Sequence, residues 1–162
     1  MASNSPDIEA TLLSDRLFNP RTGSFTPATI AIHNGAIAEI SSVLSNGALN
    51  SAGKVIDLRG LLVTPGLVDF HTHIFHGQDL GVQADSLVKH GVTAAVDAGS
   101  AGAHIFQAFK ELVIDKSKLH IQSFLNIATV GTTSILLQGE LKTASYSNEE
   151  IAIATANKLR ED

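Results

Sequence analysis

The sequence of 162 residues contains no cysteine. This absence excludes a disulfide framework, a thiol nucleophile and a zinc site built from cysteine thiolates, and it is compatible with a reducing compartment. Basic residues are also few: 11 Lys and Arg stand against 16 Asp and Glu, for a formal net charge of −5. Because the chain lacks a basic surface, we expect neither nucleic acid nor an anionic membrane as a partner.

Long apolar runs are missing as well. No stretch approaches the roughly 20 apolar residues of a membrane-spanning helix. The first residues, Met-Ala-Ser-Asn-Ser-Pro-Asp, have neither the basic nor the apolar segment of a secretory signal peptide. We therefore expect a cytoplasmic protein. Hydrophobic residues make up 44% of the sequence and charged residues 17%, which is typical of a globular chain with a buried core.

Residues 1–60 have the pattern of a small β-rich N-terminal unit. Turn-forming residues at 19–23 and a Ser/Asn/Gly-rich stretch at 45–53 separate short apolar segments. Asn34-Gly35 lies between two alternating apolar segments, and both residues tolerate the positive φ of a type I′ turn. We predict a hairpin at this dipeptide, within a set of short strands at 8–13, 30–33, 36–40 and 54–58.

Residues 61–162 change to alternating strand and helix patterns. Gly91 is placed to end a first helix, and Ser147 with Glu150 forms a capping box for the last one. Alternation of this kind predicts parallel strands joined by helical crossovers. The predicted strands are 61–64, 66–73, 92–98 and 120–130, and the predicted helices are 83–90, 103–114 and the segment after Ser147.

The segment Pro-Gly-Leu-Val-Asp-Phe-His-Thr-His, residues 65–73, carries the clearest chemical signal. Side chains alternate between the faces of a strand, so Asp69, His71 and His73 are expected on one face. Two imidazoles on one face can bind a single cation through their neutral nitrogens. A bare His-x-His pattern is weak, because hydrogen-bonded structural histidines are the commoner case.

In its context the motif resembles the amidohydrolase superfamily. A β-rich unit, a Pro-Gly turn, an apolar strand and Asp-x-His-x-His precede alternating α and β elements. Residues 91–102, Gly-Val-Thr-Ala-Ala-Val-Asp-Ala-Gly-Ser-Ala-Gly, together with Phe-Leu-Asn-Ile at 124–127, are similar to the dihydroorotase-related deacetylase branch. The similarity extends from about Leu12 to the last residue.

The resemblance implies an α/β fold that begins a (β/α)8 TIM-type barrel, preceded by a small β-sandwich-like unit. It implies one or two divalent cations, with zinc the expected metal, and it assigns His71 and His73 as metal ligands. The implied reaction is hydrolysis of an amide or ester acyl bond by a metal-bound hydroxide. The substrate would be a small N-acyl or O-acyl molecule, and a homo-oligomer is compatible with the family.

The barrel is expected to be incomplete, with only its first three βα units at 61–162, because a complete barrel takes about 250 residues. The general base is expected in sequence that would follow. Lys158 falls in a predicted helix, and Glu140 is expected to be a solvated loop residue. We therefore expect weak or no activity from this chain alone. The alternative is a non-catalytic interaction module, or remnant, derived from a truncated barrel.

Further polar residues have two interpretations each. The backbone amides of residues 97–102 could face an anionic substrate group, or the segment could be a tight turn that needs small residues. Asn126 could point into the site or satisfy local backbone groups. His76 could touch substrate or be an ordinary loop residue, and Asp69 could support the metal ligands or be structural.

The remaining histidines are expected to have no role in the site: His33, His90, His104 and His120. A serine hydrolase is disfavoured because no Gly-x-Ser-x-Gly motif is present.

Overall fold

The computed structural model describes residues 8–42, 52–75, 81–132 and 147–160. The chain forms two compact units, Met1–Pro65 and Gly66–Asp162. In chain order the elements are β1 (Ile8–Asn19), β2 (Ser24–His33), β3 (Ala36–Ser41), β4 (Ala52–Asp57), β5 (Leu67–Thr72), α1 (Ala84–Val88), β6 (Val92–Asp97), α2 (Phe106–Leu112), a 3₁₀ turn (Ile114–Lys116), β7 (His120–Ser123) and α3 (Glu149–Leu159).

The first unit contains one four-stranded sheet in the order β3-β2-β1-β4. β2 pairs antiparallel with both β1 and β3, whereas β4 pairs parallel with β1. Because β1 forms hydrogen bonds with a neighbour on each side, the four strands belong to a single sheet. The described residues therefore correct the expectation of a sandwich-like unit, which would need two facing sheets. β1 is also longer than the predicted strand at 8–13.

The predicted hairpin at Asn34-Gly35 is confirmed. β2 ends at His33, β3 begins at Ala36, and these two residues are paired. Asn34 has a φ of 50° and Gly35 a φ of 69°, as a type I′ turn requires. The carboxylate of Glu9 accepts hydrogen bonds from the backbone N–H groups of both turn residues, at 2.9 Å and 3.3 Å.

The second unit contains a three-stranded parallel sheet in the order β5-β6-β7. α1 connects β5 to β6, and α2 connects β6 to β7, so the predicted parallel strands with helical crossovers are confirmed. Both helices are shorter than predicted. The core between sheet and helices is apolar and includes Ile74, Ala95, Phe106, Phe109, Val113, Leu119 and Ile121. None of the helices in the described part of the chain could cross a membrane.

Three further predictions differ from the structure. The strand predicted at 120–130 ends at Ser123, because the chain then turns to bond with the loop after β6, Asn126 N–H donating to the Ala101 carbonyl at 2.9 Å. Residues 61–64 form no strand, and only Val63 makes an isolated bridge, to Leu17. The N-cap of α3 is Asn148 rather than Ser147.

The Asn148 cap has a direct physical cause. Its side-chain oxygen accepts a hydrogen bond from the Ile151 N–H at 2.9 Å and satisfies one of the free donors of the first turn. Ser147 instead forms an isolated antiparallel bridge with Ala128.

The type I′ turn generates a stability prediction. Gly35→Ala places a side chain in the left-handed region and is expected to destabilise the fold by about 1 kcal/mol. Asn34→Gly, the control, keeps the turn geometry and should change stability by only a few tenths of a kcal/mol. Urea unfolding followed by circular dichroism measures both. An equal effect of the two substitutions would contradict the assigned turn.

The exposed pair Asp57 and Arg59 generates a pH prediction. The Arg59 side chain donates to the Asp57 carboxylate at 2.9 Å and 3.1 Å, and its backbone N–H donates at 3.0 Å. These hydrogen bonds lower the pKa of Asp57 from 3.8 to about 2. The pKa of Asp57 is therefore lower in the folded chain than in the unfolded chain. The ionised carboxylate stabilises the folded chain above pH 3.8, and this stabilisation is lost as the pH falls through about 2.

Arg59→Gln is expected to return the Asp57 pKa towards its ordinary value, which an NMR titration of the carboxyl carbon would measure. Arg21→Gln, an exposed arginine elsewhere in the same unit, serves as the control. An Asp57 pKa that is the same with and without Arg59 would refute the assigned cause.

Candidate metal centre

A bulge shapes the carboxyl end of β5, where the histidine motif lies. Asp69 pairs with Ala95 and Thr72 with Asp97, so three steps along β5 match two along β6. An extra residue bends a strand and changes the direction of its side chains. The simple alternation expected from the sequence is therefore broken between Asp69 and Thr72, and His73 follows the last residue of the strand.

The rings of His71 and His73 nevertheless lie close together. Their centres are 6.0 Å apart and their planes nearly perpendicular, at 86°. With a zinc–nitrogen bond of about 2.0–2.1 Å, each ring centre lies roughly 3 Å from a shared ion, so two such rings are separated by up to roughly 6 Å. The observed separation of 6.0 Å lies within that limit, so the distance between the two rings does not exclude a shared cation.

The half-buried ring of His73 contacts Ser100, which is itself bonded to Asp97. Its Nδ1 lies 3.0 Å from the hydroxyl oxygen of Ser100. That hydroxyl donates to the Asp97 carboxylate at 2.7 Å. Ser100 and Asp97 are both fully buried. One ring nitrogen is thus engaged by the protein, and Nε2 is the nitrogen that remains for a cation.

Asp97 accepts four hydrogen bonds in a site without solvent access. Besides the Ser100 hydroxyl, the donors are the backbone N–H groups of Ile74 at 2.9 Å, Gly99 at 3.0 Å and Ser100 at 2.6 Å. The amides of Gly99 and Ser100 are therefore committed to a side chain of the protein. These two amides are therefore not available to an anionic substrate group. For residues 97–102 the structure favours the alternative interpretation, a tight turn that needs small residues.

Close backbone contacts explain the small residues of this turn. A side-chain carbon on Gly102 would lie 1.9 Å from the carbonyl oxygen of Ala128, and one on Gly131 would lie 2.3 Å from that of Ser100. Gly99 has a φ of 85°, a conformation that side chains disfavour. The loops after β6 and β7 thus pack backbone against backbone.

Asn126 belongs to this packing. Its side-chain amide donates to the Gly99 carbonyl at 3.0 Å, and its side-chain oxygen accepts from the Ala128 N–H at 2.9 Å. The interpretation that Asn126 satisfies local backbone groups is therefore the one that the structure supports.

Asp69 also makes a local contact. Its carboxylate accepts a hydrogen bond from the backbone N–H of His71 at 3.2 Å. This contact favours the structural interpretation of Asp69, since it acts on the backbone of His71.

Within the part of the second unit that the structure describes, no third histidine joins His71 and His73 in a group that could hold a metal ion. His120 begins β7, at the opposite end of the sheet, and His90 and His104 are exposed outside the strands. His33 belongs to the first unit. Within the described ranges, no three His, Asp or Glu residues form a group that could hold a metal ion. His76 and Glu140 lie outside the described residues.

Asp97 and Ser100 were not predicted as support for the pair. One signal was available, because Asp97 interrupts an apolar run at 92–98, and a buried carboxylate needs several hydrogen-bond donors. Ser, His and Asp are also the residues of a serine hydrolase triad, but here the serine lies between the other two. Its hydroxyl is buried and donates to the carboxylate, so the arrangement does not activate a nucleophile.

Comparisons with known proteins agree with the motif. A model of the amidohydrolase family matches residues 54–118. A deacetylase of Agrobacterium fabrum is 37% identical over 111 residues, which are 67% of this chain and 26% of that protein. Crystal structures of an adenine deaminase and a dihydroorotase superpose with TM-scores of 0.76 and 0.71, at 28% and 29% identity.

These alignments differ in how much of each chain they cover. The two structural matches include 96% and 94% of this chain, but 39% and 40% of the solved chains. The chain thus spans between about a quarter and two fifths of the length of these relatives.

The buried carboxylate generates a stability prediction. Asp97→Asn replaces one acceptor oxygen by an NH₂ group that faces donors, and it should destabilise the second unit by about 3 kcal/mol. Asp115→Asn removes an exposed ion pair with Lys110 and should cost less than about 1 kcal/mol. Thermal and denaturant unfolding measure both. Comparable small effects would show that Asp97 does not anchor the turn.

Proposed function

We propose that this chain, which belongs to the amidohydrolase superfamily, supplies part of the metal centre of a hydrolase that cleaves carbon–nitrogen or ester acyl bonds. His71 and His73 would be two ligands of a divalent cation, with zinc the expected metal. The observation that carries the proposal is the pair of imidazole rings, 6.0 Å apart, at the carboxyl end of a parallel strand.

The position of the pair supports the proposal. Enzymes built on (β/α)8 barrels keep their active sites at the carboxyl ends of the strands. β5, β6 and β7 are parallel neighbours joined through α1 and α2, as the first three units of such a barrel would be. His71, His73 and the Asp97 turn all lie at the carboxyl edge of this sheet.

The proposed chemistry assigns separate tasks to the cation and to the chain. When bound, a divalent cation supplies hydroxide at neutral pH and polarises the acyl carbonyl. His71 and His73 would bind the cation, and Ser100 would orient the ring of His73. The similarity to a deacetylase favours a small N-acyl or O-acyl molecule as substrate.

The described residues would provide only part of the coordination. Catalytic zinc usually has three protein ligands, whereas the pair provides two. We therefore expect this chain alone to bind a cation weakly and to show little or no turnover.

The second candidate function is a non-catalytic interaction module. β5 is an edge strand of the sheet, and its apolar side chains Leu67, Val68 and Phe70 are exposed by 59%, 60% and 78%. An exposed apolar edge is a ready surface for another chain. This observation favours binding to a protein partner, whereas the histidine pair favours hydrolysis.

Zinc binding tests the first proposal. The chain is expected to bind zinc weakly, and the His71→Ala/His73→Ala double variant should bind at least about tenfold more weakly, because both imidazole donors are gone. Isothermal titration calorimetry and cobalt absorption spectra measure the difference. His120→Ala is the matched control, since it removes an exposed imidazole at the other end of the sheet.

The outcomes separate the two candidate functions. Equal zinc binding by the chain and its double variant would refute the metal centre and favour the interaction module. Stoichiometric zinc together with amide hydrolysis that the double variant loses would support the hydrolase and overturn the expectation that this length is inactive.

A further inference from the structure

The hydroxyl of Ser100 lies between two partners and has one hydrogen to give. It is 2.7 Å from an Asp97 carboxylate oxygen and 3.0 Å from Nδ1 of His73. All four contacts described for Asp97 bring a hydrogen to it, as an ionised carboxylate requires. The carboxylate can only accept, so the hydroxyl hydrogen of Ser100 points to Asp97.

The direction of that hydrogen bond determines the next one. Because the hydroxyl hydrogen is used, Ser100 faces His73 with a lone pair, and Nδ1 of His73 must be the donor. A neutral imidazole carries one hydrogen, so Nε2 then has a free lone pair. Metal-binding histidines typically donate their second ring nitrogen to a group of the protein in this way.

We propose that Asp97 and Ser100 are positioning residues that hold the His73 ring as its Nδ1–H tautomer, with Nε2 presented to a cation. The role towards the cation rests on the proposed function. The ring orientation and tautomer do not, because they follow from hydrogen bonds within the chain.

Further hydrogen bonds hold Asp97 and Ser100 in place. Ser100 binds the same carboxylate through both its backbone N–H and its hydroxyl. Its carbonyl accepts a hydrogen bond from the Thr132 N–H at 3.1 Å, and the Asn126 side chain holds the neighbouring Gly99. His71, by contrast, is exposed, so we assign the preorganisation of the pair to His73.

The first test needs neither a variant of the positioning group nor a metal. Long-range ¹H–¹⁵N NMR spectra of the metal-free chain, recorded at a pH where the imidazoles are neutral, distinguish the two tautomers. The His73 signals are assigned by their loss in His73→Gln. We expect the Nδ1–H form for His73. Predominance of the Nε2–H form, or an even mixture of both, would overturn the proposal.

The second test removes the hydroxyl. Ser100→Ala should leave the His73 ring as a mixture of tautomers and weaken zinc binding by about 10–100-fold. Ser86→Ala is the matched control, because the Ser86 hydroxyl donates to the carbonyl of Gln83 at 2.6 Å, an exposed contact at the start of α1. Calorimetry gives the affinities, NMR gives the tautomer, and thermal unfolding verifies that both variants fold.

The results distinguish this inference from the proposed function. An unchanged tautomer and affinity in Ser100→Ala would refute the positioning role even if the chain binds zinc. The Nδ1–H tautomer in a chain that binds no zinc would support the role of Ser100 on the ring and refute the metal centre. If Ser100→Ala does not fold, the tautomer of the unaltered chain still supports or overturns the proposal.

Discussion

The hydrogen bonds to the buried carboxylate of Asp97 hold the candidate site together. Asp97 is the last residue of β6, and it accepts from the N–H of Ile74 beyond the end of β5 and from both the backbone and side chain of Ser100. A charge without access to water is costly unless donors surround it, so this arrangement tolerates little variation. The ends of two strands and the following turn are thereby fixed to one another, and the ring of His73 is fixed to them.

The candidate site is closely packed on one side and exposed on the other. On the side of β6 and β7, the loops approach so closely that Gly102 and Gly131 have no room for a side chain. On the other side, β5 is an edge strand with exposed apolar residues, of which Phe70 is the most exposed at 78%. A metal centre built from this sheet would combine one ligand that the chain holds in place, His73, with one that is exposed, His71.

The two candidate functions depend on different properties of the same strand. Hydrolysis would depend on the imidazole pair at the carboxyl end of β5 and on further ligands that the described residues do not provide. A binding role depends on the outer edge of β5, where Leu67, Val68 and Phe70 are exposed.

The sequence by itself determined the features that local rules govern. The Asn34-Gly35 hairpin, the alternation of strands and helices after residue 61 and the histidine pair all follow from turn chemistry and from short spacings along the chain. The assignment of His71 and His73 as metal ligands remains a prediction. The tertiary structure alone decided the bulge in β5, the early end of β7 and the hydrogen bonds that link Asp97 through Ser100 to His73. These depend on contacts between segments more than twenty residues apart, such as Ser100 with His73, and on pairing registers that no local pattern specifies.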